Sequence, residues 1–267
     1  MRSGLTKSRA WLLLLSLSSA PFAGCTGSGQ EDEVVVVYAA ASLRDVMHSL
    51  SEPFQRSSGT GTVFNFAGSN VLARQIDATP AADVYLSANE QWVDFLQERG
   101  RIVAETRRTF ASNRLVIVAH RNSPFQLQEA ARLADLDFRY LSLADPEAVP
   151  AGRYARQYLQ SIEPDGRLWK RLQERVAPAP DVRAALALVE ADPRILGIVY
   201  ATDAASSQKV RVLYEVPRAK GPDIRYSAAL VKGGPNPAQG RRFLEFLSGP
   251  EARRVLEEMG FGFGVAE

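Results

Sequence analysis

One cysteine, two histidines and no long apolar run set the first limits on what this chain of 267 residues does. Without a second cysteine there is no disulfide framework. His48 and His120 stand far apart and Cys25 lies near the N-terminus, so zinc or copper coordination has few ligands to draw on. The stretch "AWLLLLSLSSAPFAG" is broken by serines well short of the ~20 apolar residues that a membrane-spanning helix needs. Neither a Walker loop nor a G-x-G-x-x-G fingerprint is present. No serine sits in a G-x-S-x-G elbow, and no pair of carboxylates stands out as an acid/base couple, so catalysis is not expected. Excess basic charge is also missing. The formal net charge is +2, and Arg2, Lys7 and Arg9 fall in the first 24 residues, which hold no acidic residue. Without that segment the balance turns slightly negative, which argues against a nucleic-acid footprint.

What is present begins with that segment. A charged start, an apolar centre and the small-residue end "FAG" form an export signal over residues 1–24. Cys25 follows directly, as in the lipobox of bacterial lipoproteins, and is expected to be lipidated, with residues 25–32 a flexible tether. The alternative is ordinary signal cleavage nearby, leaving a free thiol, which is a liability in an oxidising compartment. Either way the protein is exported, and lipidation would hold it to a bacterial membrane on the periplasmic side.

From there on, short apolar runs alternate with helical periodicity, which predicts an α/β architecture with mainly parallel strands. Strands are expected at 34–38, 62–66, 84–87, 115–119, 140–143, 196–200, 210–214 and 226–231. Helical faces are carried by Leu43, Val46, Met47, Leu50 and Phe54; by Trp92, Phe95 and Leu96; and by Tyr154, Tyr158 and Leu159. Two more are carried by Val182, Ala185, Leu186 and Val189, and by Phe243, Leu244 and Leu247. The fresh strand-rich start at "NRLVIVAHRNSP" divides the chain into two lobes: 33–112 and 203–267 form the first, and 113–202 the second. A cleft between lobes is where such a fold binds ligands, outside the carboxyl ends of strands.

Four strand-to-helix junctions share one grammar. "YAAASLRD" passes three alanines to Ser42, and "FAGSN" passes Ala67 and Gly68 to Ser69. "VPAG" opens a helix with Pro150, Ala151 and Gly152, and "APDV" opens another with Asp181 as the expected cap before Val182. Ser42, with Asp45 three residues on, reads as a capping box. It reads equally as a helix start offering unpaired N–H groups to an anion, and only this second reading explains the bare alanines. Arg74 and Arg183, in first turns near two junctions, are either anion partners or solvated helix-face residues.

The segments "VYAAASLRDVM", "FNFAGSNVLARQI", "ADVYLSANEQWVDF", "DPEAVPAGRYA", "DVRAALALVE" and "LGIVYATDA", in this order, resemble the molybdate-binding proteins of ABC transporters. That family has a two-lobed periplasmic-binding-protein fold that closes on molybdate or tungstate. The resemblance implies serine donors at Ser42 and Ser69, backbone N–H donors at Ala151 and Val182, and a phenol donor at Tyr200. It departs at Gly68 and Asn70, where the family often continues a run of serines. No cofactor is implied, and no metal is coordinated directly, because molybdenum is held through its oxygens. An ABC permease is the implied partner, and a monomer the implied state. Donor-only groups suit a proton-free dianion. Hydrogenphosphate would bring a proton needing an acceptor, at a cost of about 1–3 kcal/mol if left unpaired. Sulfate, a smaller dianion, has to be rejected by cavity size. A binding protein of the same fold for sulfate, phosphate or an organic anion is the nearer alternative; an exported enzyme or a lipoprotein scaffold with a relict cleft is the further one.

Overall fold

A computed structural model describes residues 34–263. The expected export signal at 1–24 and the expected lipidation site and tether at 25–32 lie outside the described residues.

In chain order the elements are β1 (Val34–Ala40), α1 (Arg44–Ser58), β2 (Gly61–Ala67), α2 (Ser69–Ala78), β3 (Val84–Ser87), α3 (Glu90–Glu98), β4 (Arg108–Asn113) and β5 (Leu115–His120). There follow β6 (Tyr140–Ala144), α4 (Pro150–Ile162), α5 (Arg167–Leu172), β7 (Val176–Ala179), α6 (Val182–Ala191), β8 (Ile195–Tyr200) and α7 (Ala201–Ala205). The last are β9 (Val210–Glu215), β10 (Ile224–Leu230), α8 (Pro237–Leu247) and α9 (Pro250–Glu258).

Two five-stranded sheets organise two lobes. The first has the order β2-β1-β3-β10-β4 and the second β7-β6-β8-β5-β9. The expected parallel pairing holds for the strands that open onto helices: β1 with β2 and β3, and β6 with β7 and β8. The other pairings, of β10 with β3 and β4 and of β5 with β8 and β9, are antiparallel, so each sheet is mixed.

The valine run of β1 is continuous because both faces of the first sheet are covered. Val35, Val37 and Ala39 are fully buried in the main core, while Val36 and Tyr38 pack against a second cluster built from Leu72, Ile76, Tyr85, Trp92 and Leu96. The apolar face expected of α1 is buried throughout, as are those of α6 and α8. Phe54 meets Phe243 edge-on and Phe246 at a tilt, tying α1 to α8.

The expected return to the first lobe at residue 203 comes too early. β9 pairs with β5 in the second sheet, and α7 packs on β5, β8 and β9. A strand's own pattern does not name its partner, which is why the boundary was misplaced. The chain crosses between sheets twice: from β4 to β5 through Arg114, and from β9 to β10 through residues 216–223. The crossings run side by side, since Asn113 pairs with Ile224 and Val116 with Glu215. Two strands escaped the sequence reading. β4, "RTFASN", carries one large apolar residue, and β7, "VAPA", contains Pro178, tolerated because β7 is an edge strand.

Candidate binding site at the junction of the two sheets

Each junction builds one wall of a single small pocket. Ala40 ends β1, with Ala41 and Ser42 after it; Gly68 and Ser69 follow β2; Val149, Pro150 and Ala151 start α4; Asp181 and Val182 start α6; Tyr200 ends β8; and Ala88 follows β3. All five residues singled out for ligand contact, Ser42, Ser69, Ala151, Val182 and Tyr200, therefore line one pocket. The first lobe supplies two of them and the second three.

Ser42 does not cap α1. It lies in a 3-10 turn, Ala41–Leu43, whose start has no side-chain cap bond, and α1 begins only at Arg44. Its Oγ accepts instead from the Tyr226 hydroxyl at 3.0 Å. Asp45, the other half of the expected box, pairs with Arg183 at 3.1 Å. The capping box fails because both side chains have stronger partners outside the helix.

Ser69 is the first residue of α2, and its Oγ accepts from the Ala88 N–H at 3.1 Å. Its carbonyl accepts from the Tyr85 hydroxyl at 2.8 Å, which locks the turn from below. Pro150 stands in the first turn of α4 as expected, and the helix starts hard against β6. A Cβ on Gly152 would lie 1.9 Å from the Ala144 carbonyl, so only glycine allows this approach. Asp181 caps α6 as expected, accepting from the N–H groups of Arg183 and Ala184 at 2.8 and 2.9 Å. The Val182 N–H is left outside that cap. Helix first turns carry N–H groups without intrahelical acceptors, so α2, α4 and α6 all bring donors to the pocket wall.

Tyr200 completes the wall. Its ring is 1% exposed, its hydroxyl has no hydrogen-bond partner, and burial holds its pKa well above the usual tyrosine range. The phenol therefore keeps its proton and has nowhere within the protein to place it. Edge-on packing against Tyr226, with centroids 5.9 Å apart, fixes the ring.

No cationic side chain lines the pocket. Arg183 is turned to Asp45, to Asp203 at 3.4 Å and to Ser206 at 2.7 Å. Arg74 lies over the Trp92 ring. Neither is an anion partner here. His48 packs against Phe64 and Phe66, and the His120 Nδ1 accepts from the Asn122 N–H. Among the described residues no group of three or more His, Cys, Asp or Glu could hold a metal ion. A larger cavity of about 490 Å³ also forms, with Arg153, Arg156, Arg225, Glu90, Glu147 and Asp223 among its lining residues. Two of its ion pairs are internal, Arg156 with Glu147 and Arg225 with Asp223, and its carboxylates disfavour a small dianion.

Sequence reasoning missed Tyr226 and Asn113, which reach the site from β10 and β4. No local signal marks them; their roles depend on a strand pairing between residues more than a hundred positions apart.

The arrangement agrees with what the chain is similar to. The family model for bacterial extracellular solute-binding proteins matches residues 35–262. The molybdate-binding protein ModA of Escherichia coli K12 is 36% identical over 257 residues, spanning 95% of this chain and 98% of that one. The molybdate-binding protein ModA of Haemophilus influenzae is 36% identical over 235 residues, 86% of this chain and 90% of its own. Among solved structures, the periplasmic molybdate-binding protein of Azotobacter vinelandii superposes with a TM-score of 0.75 at 21% identity, covering 86% of this chain and all of that one. With the fold, the two lobes and the family match in agreement, this chain belongs to the bacterial extracellular solute-binding proteins.

Proposed function

We propose that the protein captures molybdate or tungstate outside the cytoplasm and hands it to an ABC permease, without catalysing a reaction. Molybdate is the ligand in the names of the relatives that match nearly the whole chain. The observation that carries the reading is the pocket itself: donors from both lobes around a space with no cation, one of them the unpartnered Tyr200 hydroxyl. An unmade hydrogen bond on a buried donor costs about 1–3 kcal/mol, and an oxyanion restores it. Molybdate presents only oxygens, so helix-start N–H groups and hydroxyls suffice, and their partial positive charge offsets the dianion. Ser42 and Ser69 are assigned as hydroxyl donors, Ala151 and Val182 as backbone donors, and Tyr200 as the phenol donor.

Closure of the lobes over the anion belongs to the same reading. Two interlobe bonds support it: Trp92 Nε1 donates to the Ala148 carbonyl at 3.1 Å, and Asp45 pairs with Arg183. We further assign Cys25 as the acylated residue that tethers a monomer to the membrane on its periplasmic side.

The site assignment is tested by a Ser42→Ala, Ser69→Ala double variant titrated with molybdate. Two hydrogen bonds to a charged ligand, each worth roughly 1.5–3 kcal/mol, predict an affinity loss of about a hundredfold or more. The ligand-free variant should stay folded but unfold at a lower transition, because the buried Tyr226 hydroxyl and the Ala88 N–H lose their acceptors. Unchanged affinity would remove both serines from the site.

A further inference from the structure

Both pocket serines receive a hydrogen bond from the protein before any ligand arrives. Ser69 Oγ accepts from the Ala88 N–H, a fixed backbone donor. Ser42 Oγ accepts from a phenol, which is itself able to donate or to accept, so something must set its direction. The chain of bonds behind Tyr226 does so. Asn113 Oδ1 accepts from the Arg114 N–H at 2.9 Å, which turns the amide so that Nδ2 faces inward. Nδ2 has two hydrogens and two recipients, Thr202 Oγ1 at 2.9 Å and the Tyr226 oxygen at 3.3 Å. Tyr226 thus accepts from Asn113 and places its single hydrogen on Ser42. Reversing the last bond would strand the phenol hydrogen in a fully buried site, since Tyr226 is 0% exposed. Burial, reinforced by the nearby Asp203 carboxylate, also keeps this phenol protonated, its pKa held above the usual tyrosine range.

We propose that Asn113 and Tyr226 are positioning residues that commit the Ser42 hydroxyl to donate into the pocket, favouring an oxyanion that meets it with an unprotonated oxygen. With one of its two lone pairs taken by the Tyr226 hydrogen, Ser42 keeps its own hydrogen free to turn toward the ligand. Preorganised donors lose less on binding than a hydroxyl that must first abandon another orientation. Asn113 and Tyr226 lie on the two strands at the crossings between lobes, so the relay runs from the crossing to the anion seat. The proposal rests on the reading of this pocket as an oxyanion site.

The test is a double-mutant cycle on the full mature chain, read by calorimetric titration with molybdate. Tyr226→Phe should weaken binding about tenfold, because Ser42 then has to give up other orientations before it donates. In a Ser42→Ala background the same change should alter affinity by less than about twofold, because nothing remains to be positioned. Asn113→Asp provides a second arm: a carboxylate draws the phenol hydrogen to itself, so molybdate affinity should fall about tenfold with Tyr226 intact. In Asn113→Asp the preference for molybdate over hydrogenphosphate in competition should shrink, because the Tyr226 oxygen then takes the Ser42 hydrogen and leaves Ser42 only lone pairs to offer the ligand. Full loss from Tyr226→Phe on top of Ser42→Ala would overturn the relay while leaving the site standing, and so would parental affinity in Tyr226→Phe. A Ser42→Ala variant that binds molybdate like the parent would overturn the site reading and the relay together.

Discussion

The Tyr200 phenol is buried, protonated and unpartnered, a combination that gives opposite signs for stability and binding. Replacing it by phenylalanine removes a hydroxyl that makes no bond in the ligand-free protein. Tyr200→Phe should therefore leave ligand-free stability unchanged or raise it by up to ~1 kcal/mol, measured by urea unfolding, while molybdate affinity falls about tenfold or more. A variant that loses stability and keeps its affinity would contradict this role. Asp203 supplies a second residue-scale prediction. Burial raises its carboxyl to about 7, and Arg183 draws it only part of the way back. The fold thus retains a proton that the unfolded chain releases near the ordinary value of 3.8. The contribution of Asp203 to stability is complete below about pH 4 and is lost as the pH rises to about 7. Asp203→Asn should flatten that segment of the stability profile, by roughly 1–4 kcal/mol between its ends, in urea unfolding across pH 4–8; an unaltered slope would assign the pH dependence elsewhere. At this scale the sequence was legible where function and local structure share a residue. Ser69, Ala151 and Val182 stood out because each sits at or next to a helix start, and they line one pocket in the structure. Tyr200 came from family resemblance, and Tyr226 and Asn113 were out of reach because sheet pairing, not sequence neighbourhood, brings them in.

Helix starts are the elements that make the pocket, and their closeness across the cleft depends on Gly68. A Cβ there would lie 2.9 Å from the Pro180 carbonyl of the opposite lobe and 2.6 Å from Asn70 Oδ1. The Gly68 backbone has φ −58 and ψ 139, which any residue adopts, so the constraint is space rather than conformation. Gly68→Ala should fold normally, because the obstructing carbonyl belongs to the other lobe, but should hold the lobes apart and weaken molybdate binding about five- to tenfold. Titration beside a thermal melt decides it, and wild-type affinity would show that the α2 and α6 junctions do not need this approach. Element existence was otherwise readable from periodicity: among the described residues, eight of the ten strands were expected, and every helix expected from an apolar face is present. β4 and β7 were not, because one lacks an apolar alternation and the other contains a proline that only its edge position permits. Ser42 shows the converse error. A valid capping pattern was overridden by two tertiary partners, Tyr226 for the serine and Arg183 for the aspartate.

For the whole molecule, two sheets joined by paired crossings give a two-lobed body whose facing ends carry neutral donors. The two-lobe division was legible in the restart at "NRLVIVAH", and its far boundary was not, since β9 joins β5 only through long-range pairing. Cys25→Ser should release the exported protein from the membrane fraction into the soluble periplasmic fraction, as followed by fractionation and mass analysis of the mature N-terminus. Continued membrane association with an unmodified cysteine would refute the anchor. The central claim, that this pocket takes a proton-free tetrahedral dianion of molybdate size, is tested most directly by calorimetric titration of ligand-stripped residues 26–267 with molybdate, tungstate, sulfate and phosphate in turn. The account predicts tight 1:1 binding of molybdate and tungstate, with sulfate and phosphate giving no heat of binding. Heat from sulfate or phosphate with silence from molybdate, or silence from all four, would contradict it.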